Sequence, residues 1–299
     1  MAREPREQDL ACAIAQAAAV IGDWWSLLIV REVTRGHHRF EELLAELGIS
    51  RKVLTERLRH LVEHGVLARR PYQTGPTRHE YLLTGRGRAL APVLISMQDW
   101  ADRWLLADGS LTGTAAPDGR EAARVHALAG AAIPGPLPLP AVLPPRAEPG
   151  EVDVVAPAGA TVIFTYPATG RPGPLPPDWD QVPGAAGCTL ENRLFRDIAP
   201  ELAAAGVTVH GISTQRPDEQ RAFALAEGVT FPLLSDAESA LAAALRLPTF
   251  RTGQTTRLKR LILVADPART VRLVIYPVLD IPAAVAEARA VAARVAAGG

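Results

Sequence analysis

Proline at every second position from Pro134 to Pro140, followed by Pro144, Pro145 and Pro149, breaks this chain near its middle. Proline fixes φ and carries no N–H, so neither a continuous helix nor a fully paired strand is expected to cross IPGPLPLPAVLPPRAEPG. The segment reads as a linker that is stiff in places and resists regular packing. A length of 299 residues accommodates two folding units around such a break.

The patterns on either side differ. Residues 1–105 contain four short helical stretches, QDLACAIAQAAAVIG, WWSLLIVREV, RFEELLAELG and RKVLTERLRHLVEHG. In the last, Val53, Leu54, Leu58, Leu61 and Val62 recur at helical spacing, leaving Arg51, Lys52, Thr55, Arg59 and His60 off the apolar stripe. Asp23 and Ser50 stand where N-caps belong. Two strand-like runs joined by a Gly/Pro turn follow, and then a longer amphipathic helix. Residues 106–150 form the linker, with one short helix expected in DGREAARVHALAG. Residues 151–299 alternate strands (TVIFTY, VTVHGIS, RLILVAD, VRLVIYP) with helices, the pattern of a layered α/β domain. The expected fold class is thus two-domain, α+β followed by α/β.

Charge narrows the function. Net charge is zero, yet Ser50–Arg88 holds nine Lys/Arg against Glu56, Glu63 and Glu80, which implies one basic face for an anionic partner. A helix, a short helix, a polar–basic helix and a two-stranded wing make a winged helix-turn-helix. Such a fold would place Arg51, Lys52, Thr55 and Arg59 in a major groove, with Arg78 of the wing tip at phosphate or the minor groove. Solvated charges on a structural helix are the alternative reading of the same pattern.

Two cysteines, Cys12 and Cys188, cannot build a disulfide scaffold or a four-cysteine zinc site. His37, His38, His60, His64 and His79 form no credible ligand set, so no metal and no cofactor are expected. No apolar run has the length of a membrane span, and the N-terminus lacks a signal-peptide pattern, which points to the cytoplasm. Cys12 lies amid Ala and Ile and reads first as a small buried hydrophobe, with oxidant sensing as the alternative. Cys188 follows Gly187 at the start of a helix, where free N–H groups would lower the thiol pKa and favour the reactive thiolate. A buried structural cysteine is the bland alternative.

Two resemblances sharpen these readings. GDWWSLLIVREVTRGHHRFEELLAELGISRKVLTERLRHLVEHGVLARRPY, with PTRHEYLLTGRGRAL and the later MQDWA, resembles the HxlR-type winged-helix regulators over about residues 10–105. That resemblance implies a homodimer joined by its terminal helices on a palindromic double-stranded operator, with Arg51, Lys52, Thr55, Arg59 and Arg78 as DNA contacts. It also implies a redox role for Cys12, by a bond between subunits or a mixed disulfide. VIFTYP, GCTLENRLFRD, VHGISTQ, FPLLSD, LRLPTF and KRLILVAD resemble the peroxiredoxin or AhpC/TSA-like proteins of the thioredoxin fold. There Cys188 takes the peroxidatic place, and Arg260 matches the arginine that polarises thiolate and peroxide.

The match departs from the family pattern in three ways. Ala185 stands where a hydroxyl residue belongs, with Gln181 seven before the cysteine. The motif is interrupted by TGRPGPLPPDWDQVPGAA, so that Thr169 would have to fold back to supply the hydroxyl and Trp179 becomes a candidate pocket wall. Arg193 stands where relatives often have a resolving cysteine, so turnover would need an external thiol reductant or Cys12. The combined expectation is a transcriptional regulator that senses oxidant through Cys188. The alternatives are a regulator whose inactive redoxin-like domain binds a small organic effector, and a one-cysteine thiol peroxidase with an attached DNA-binding domain.

Overall fold

The computed structural model describes residues 11–74, 77–105, 114–169, 185–252 and 255–298. It divides into two compact units, Met1–Leu94 and Ile95–Gly299. The division falls inside a helix, before the boundary at residue 105 expected from sequence.

In the first unit α1 (Ala13–Ile21), α2 (Trp24–Thr34), α3 (Phe40–Leu47) and α4 (Arg51–Glu63) precede the antiparallel pair β1 (Leu67–Thr74) and β2 (Thr77–Leu83). A single turn, α5 (Gly85–Arg88), leads into α6 (Ala91–Trp104). The caps sit where the sequence puts them. The Asp23 carboxylate accepts from the N–H groups of Trp25 (3.1 Å) and Ser26 (3.0 Å), and the Ser50 hydroxyl accepts from Val53 N–H at 3.3 Å. On α4, Leu54, Leu58 and Leu61 turn one stripe inward against Ile29, Val30, Val33 and Leu43, which leaves the opposite face polar. Ser50→Ala removes the cap of this helix and is expected to lower the stability of the first unit by about 1 kcal/mol. A downward shift of the urea midpoint followed by Trp24/Trp25 fluorescence is the check.

The second unit continues with α7 (Arg120–His126), β3 (Pro138–Leu143), β4 (Glu148–Asp153), β5 (Ala160–Thr165), α8 (Cys188–Ala204), β6 (Val207–Ser213), α9 (Pro217–Glu227) and β7 (Leu233–Ser235). Then come α10 (Ala240–Leu245), β8 (Thr249–Thr252), β9 (Thr255–Leu258), β10 (Leu261–Ala265), β11 (Val271–Ile275) and α11 (Ile281–Ala297). A seven-stranded sheet runs in the order β11-β10-β5-β6-β7-β3-β4, with β5, β6 and β7 parallel and the other pairings antiparallel. Every residue of β5 is buried, as expected for a strand covered on both faces. α8 and α11 pack together against the sheet, and Phe164 of β5 stacks on Phe195 of α8 with ring centroids 4.5 Å apart. In chain order a winged helix-turn-helix is followed by a thioredoxin-like α/β domain.

The linker reading of 106–150 needs correction over its described part, residues 114–150. The helix expected there is present as α7, and it belongs to the second unit: Glu121 is buried, accepts from Lys259 Nζ at 2.7 Å and also accepts from the Tyr276 hydroxyl. The proline run itself supplies β3. Pro138 and Pro140 are exposed while the intervening Leu139 and Ala141 are buried, so proline alternation coincides with strand alternation. Pairing to β7 is confined to Ala141 and Val142, past those two prolines, and missing N–H groups therefore interrupt no ladder there.

Among the described residues no single helix is long and apolar enough to cross a membrane; α1 and α2 pass such a test only as a pair bent by 75°.

Candidate functional site

In the first unit the polar face of α4 exposes Arg51, Lys52, Thr55 and Arg59 together, and Arg78 is exposed on β2. Their partners separate them. Arg51 is clamped by Glu41 through two bonds, of 3.0 and 2.8 Å, and Arg59 lies 3.7 Å from Glu63. The Thr55 hydroxyl donates back to the Arg51 carbonyl at 2.7 Å. The wing carries two further cations that the sequence reading counted in the basic segment without assigning them to DNA, Arg69 beside His79 (2.9 Å) and Arg70 paired with Glu80 (2.6 Å).

Cys12 contradicts its first reading: among the described residues it is exposed, standing at the N-cap of α1 before a helix whose buried residue, Ile21, lies at the far end. His37 gathers with Glu32 and Glu46, their ligand atoms within 4.8 Å of one another. Glu32 already accepts from Arg31 (2.6 Å) and Arg35 (3.0 Å), so its charge is matched by guanidinium and it is a poor metal donor.

In the second unit Cys188 is the first residue of α8. Gly187 precedes it at φ 101°, a conformation that suits glycine, and a Cβ there would come within 2.6 Å of Ile281 Cδ1. This turn delivers the sulfur to a buried position among the core side chains. Arg260 Nη2 lies 3.4 Å from Cys188 Sγ and 3.0 Å from the Ala186 carbonyl, while its Nε donates to Glu191 Oε2 at 2.9 Å. The thiol itself donates to the Ala185 carbonyl at 3.4 Å. Sequence reasoning paired Cys188 with Arg260 and missed Glu191. Its signal was the i,i+3 spacing from Cys188, which puts both side chains on one helix face, but a glutamate in a helix ordinarily reads as solvated.

The electrostatics reverse one expectation. Burial pushes the Cys188 thiol above its ordinary pKa. Arg260 and the Ala168 N–H pull it down without cancelling that effect, and Glu191 adds to the rise. Removing the sulfur from water outweighs the helix N-terminus that the sequence suggested. Burial likewise raises Glu191, to about 7, against the pull of Arg260. Burial opposes the charge on Arg260, yet Glu191 and Cys188 hold its guanidinium more firmly protonated than usual.

Thr169 also departs from expectation. Its hydroxyl donates to Gln215 Oε1 at 3.1 Å, not to the sulfur, and its backbone N–H and carbonyl bond the same side chain. The neighbouring Ala168 reaches Cys188 instead, through its N–H. Trp179 and Gln181 lie outside the described residues. Arg193 pairs with Glu227 at 2.7 and 3.1 Å.

Comparison with known proteins matches two stretches of the chain to families. Residues 20–108 match the HxlR-like helix-turn-helix family, and residues 182–274 match the AhpC/TSA family. An HTH-type transcriptional regulator of Mycobacterium bovis is 43% identical over 93 residues, covering 31% of this chain and 59% of the relative, so the chain spans little more than half of that protein. One from Synechocystis is 43% identical over 95 residues, covering 31% of this chain and 70% of the relative. The crystal structure of peroxidoxin BcpB from Mycobacterium tuberculosis shares 29% identity, covers 56% of this chain and 96% of its own, and superposes with a TM-score of 0.44. The chain belongs to the HxlR-like helix-turn-helix family by its first unit, and joins to it a domain of the AhpC/TSA family.

Proposed function

We propose that the protein is a cytoplasmic DNA-binding transcriptional regulator whose affinity for its operator is set by hydroperoxide oxidation of Cys188. The observation that carries this reading is the buried 3.4 Å contact between Arg260 Nη2 and Cys188 Sγ. In the reaction the Cys188 thiolate attacks the terminal oxygen of R–O–OH. An S–O bond forms, the O–O bond breaks, and RO⁻ leaves with the bonding pair and takes a proton from water. Sulfur is oxidised to sulfenic acid and the hydroperoxide is reduced to an alcohol, or to water when R is hydrogen. Arg260 sits where negative charge moves from sulfur to the leaving oxygen. With arginine at position 193, return to the thiol requires an external thiol reductant or Cys12.

On the DNA side the exposed Lys52, Thr55 and Arg59 on α4 and Arg78 on the wing support a major-groove reader. Exposed Ile14 on α1 and Met97, Trp100 and Trp104 on α6 support a homodimer joined by its terminal helices, which in turn suits a palindromic operator. A coupling of ~1–3 kcal/mol between oxidation and binding would change affinity roughly 5–150-fold.

The test is intact mass, without reductant, after one equivalent of hydrogen peroxide, on wild type and Cys188→Ser, followed by DNA affinity of both redox states. A gain of one oxygen, or a Cys12–Cys188 bond, in wild type alone supports the reading. An unchanged Cys188 at excess peroxide overturns it. A second reading, a regulator whose redoxin-like domain binds a small organic molecule without peroxide chemistry, is favoured by the Thr169 hydroxyl bonding Gln215 and by the burial that raises the thiol.

A further inference from the structure

The hairpin β8–β9 brings a second cation toward Cys188. Phe250 of β8 is paired with Arg257 of β9, and residues paired across an antiparallel ribbon share a face. Phe250 is buried and clusters with Ala168 and Ala185. These are the residues whose backbone N–H and carbonyl, respectively, bond the Cys188 sulfur. The adjoining residue anchors β9 to the same region: the Thr256 carbonyl accepts from the Thr214 hydroxyl at 2.9 Å, and Gln215, next in the chain, holds Thr169.

Arg257 itself is only half-buried, but its Nε is inaccessible to solvent and has no hydrogen-bond partner among the described residues. Glu219 is the charge that does most to raise its pKa; one oxygen of that carboxylate accepts from the Arg216 N–H at 2.8 Å, and among the described residues no hydrogen bond joins it to Arg257. Burial lowers the Arg257 pKa while Glu219 and Cys188 raise it, as expected for a cation within electrostatic range of the sulfur. A buried donor left unpaired is costly, and an arriving anion would remove that cost. A guanidinium whose strand partner is an aromatic clustered with two alanines matches a carboxylate on an apolar chain.

We propose that Arg257 makes the Cys188 site selective for carboxylate-bearing organic molecules, with fatty-acid-type hydroperoxides as its oxidising substrates. This rests on the hydroperoxide reading above and names its substrate class. The carboxylate would pair with Arg257 while Arg260 remains with the sulfur and the peroxide oxygens.

The experiment compares the rate of Cys188 oxidation by a fatty-acid hydroperoxide with that by its methyl ester, in full-length wild type, Arg257→Gln and Arg257→Lys. The acid-to-ester rate ratio is expected to fall about tenfold in Arg257→Gln and to stay within about threefold of wild type in Arg257→Lys. A ratio unchanged in Arg257→Gln overturns the proposal, including the case where both rates fall together and Arg257 is only an electrostatic support for the thiolate. A second arm titrates octanoate, which cannot oxidise sulfur, into wild type, Arg257→Gln and Cys188→Ser. Binding at least tenfold weaker in Arg257→Gln but retained in Cys188→Ser supports the carboxylate site even if no hydroperoxide oxidises Cys188. Equal octanoate binding by wild type and Arg257→Gln, or none by either, overturns it.

Discussion

Arg260→Met is expected to slow the oxidation of Cys188 by hydrogen peroxide at pH 7 about 100-fold, as for loss of one preorganised charge-stabilising donor. Two effects act together. The sulfur loses its neighbouring cation, so its pKa rises further and less thiolate exists at neutral pH; the departing oxygen loses its positive partner. The pH dependence follows in sign. Burial already holds the thiol above its ordinary value, so the wild-type rate climbs about tenfold per pH unit until the thiol titrates, and the variant climbs along a curve displaced to higher pH.

Stability follows the same sign. Because folding favours the protonated thiol, the stability associated with Cys188 is fully present below the unfolded pKa and is lost as pH rises through the folded one. The single variant also strands Glu191, a buried carboxylate, and breaking such a pair costs about 3–5 kcal/mol. Losing Arg260 moves the Glu191 carboxyl above its wild-type value of about 7, so folding favours its protonated form and the variant loses stability as pH rises from 5 to 8. Arg260→Met combined with Glu191→Gln removes that complication. Stopped-flow oxidation of the double variant should still be about 100-fold slow; recovery to the wild-type rate would show that Arg260 supports the fold and not the chemistry.

The second large effect concerns the first unit. Lys52→Ala and Arg78→Ala are each expected to weaken binding to duplex DNA about tenfold at physiological salt, and together about 100-fold. Each should flatten the slope of log affinity against log salt by about 1, and the pair by about 2, as loss of one phosphate contact apiece requires. Glu41→Gln should act in the opposite direction. It frees Arg51 from its two-bond clamp and removes a negative charge beside the recognition helix, so affinity should rise several-fold. Fluorescence anisotropy with a 30-base-pair duplex of arbitrary sequence, over a salt series, reads all of these without knowledge of the operator. Equal affinities and slopes in wild type and the double variant would remove α4 and the wing from the interface.

The sites were unevenly legible in sequence. Asp23 and Ser50 cap α2 and α4 as their types and positions foretold, because capping is a local contest over a few backbone N–H groups. Cys188 and Arg260 were paired across 72 residues by resemblance to a family, since neither periodicity nor spacing connects them. Glu191 and Arg257 escaped because each reads locally as a solvated charge, and only the packing of α8 and the pairing of β9 with β8 bring them within electrostatic range of the sulfur. The proline run misled for a related reason. Its missing N–H groups argue against pairing on average, whereas what matters is which neighbour each absent donor would have faced.

By itself the sequence determined the two-unit organisation, the order of elements in the winged helix-turn-helix, the core stripe of α4 and the placement of Cys188 at a helix start. These depend on short-range periodicity, caps and backbone freedom, which neighbouring residues carry in full. The tertiary structure alone decided that Glu121 anchors α7 against Lys259 and Tyr276, that Thr169 turns to Gln215, and that the Cys188 thiol lies above and not below its usual range. Desolvation and charge pairing depend on what the rest of the chain brings within a few ångströms, and no local pattern encodes that distance.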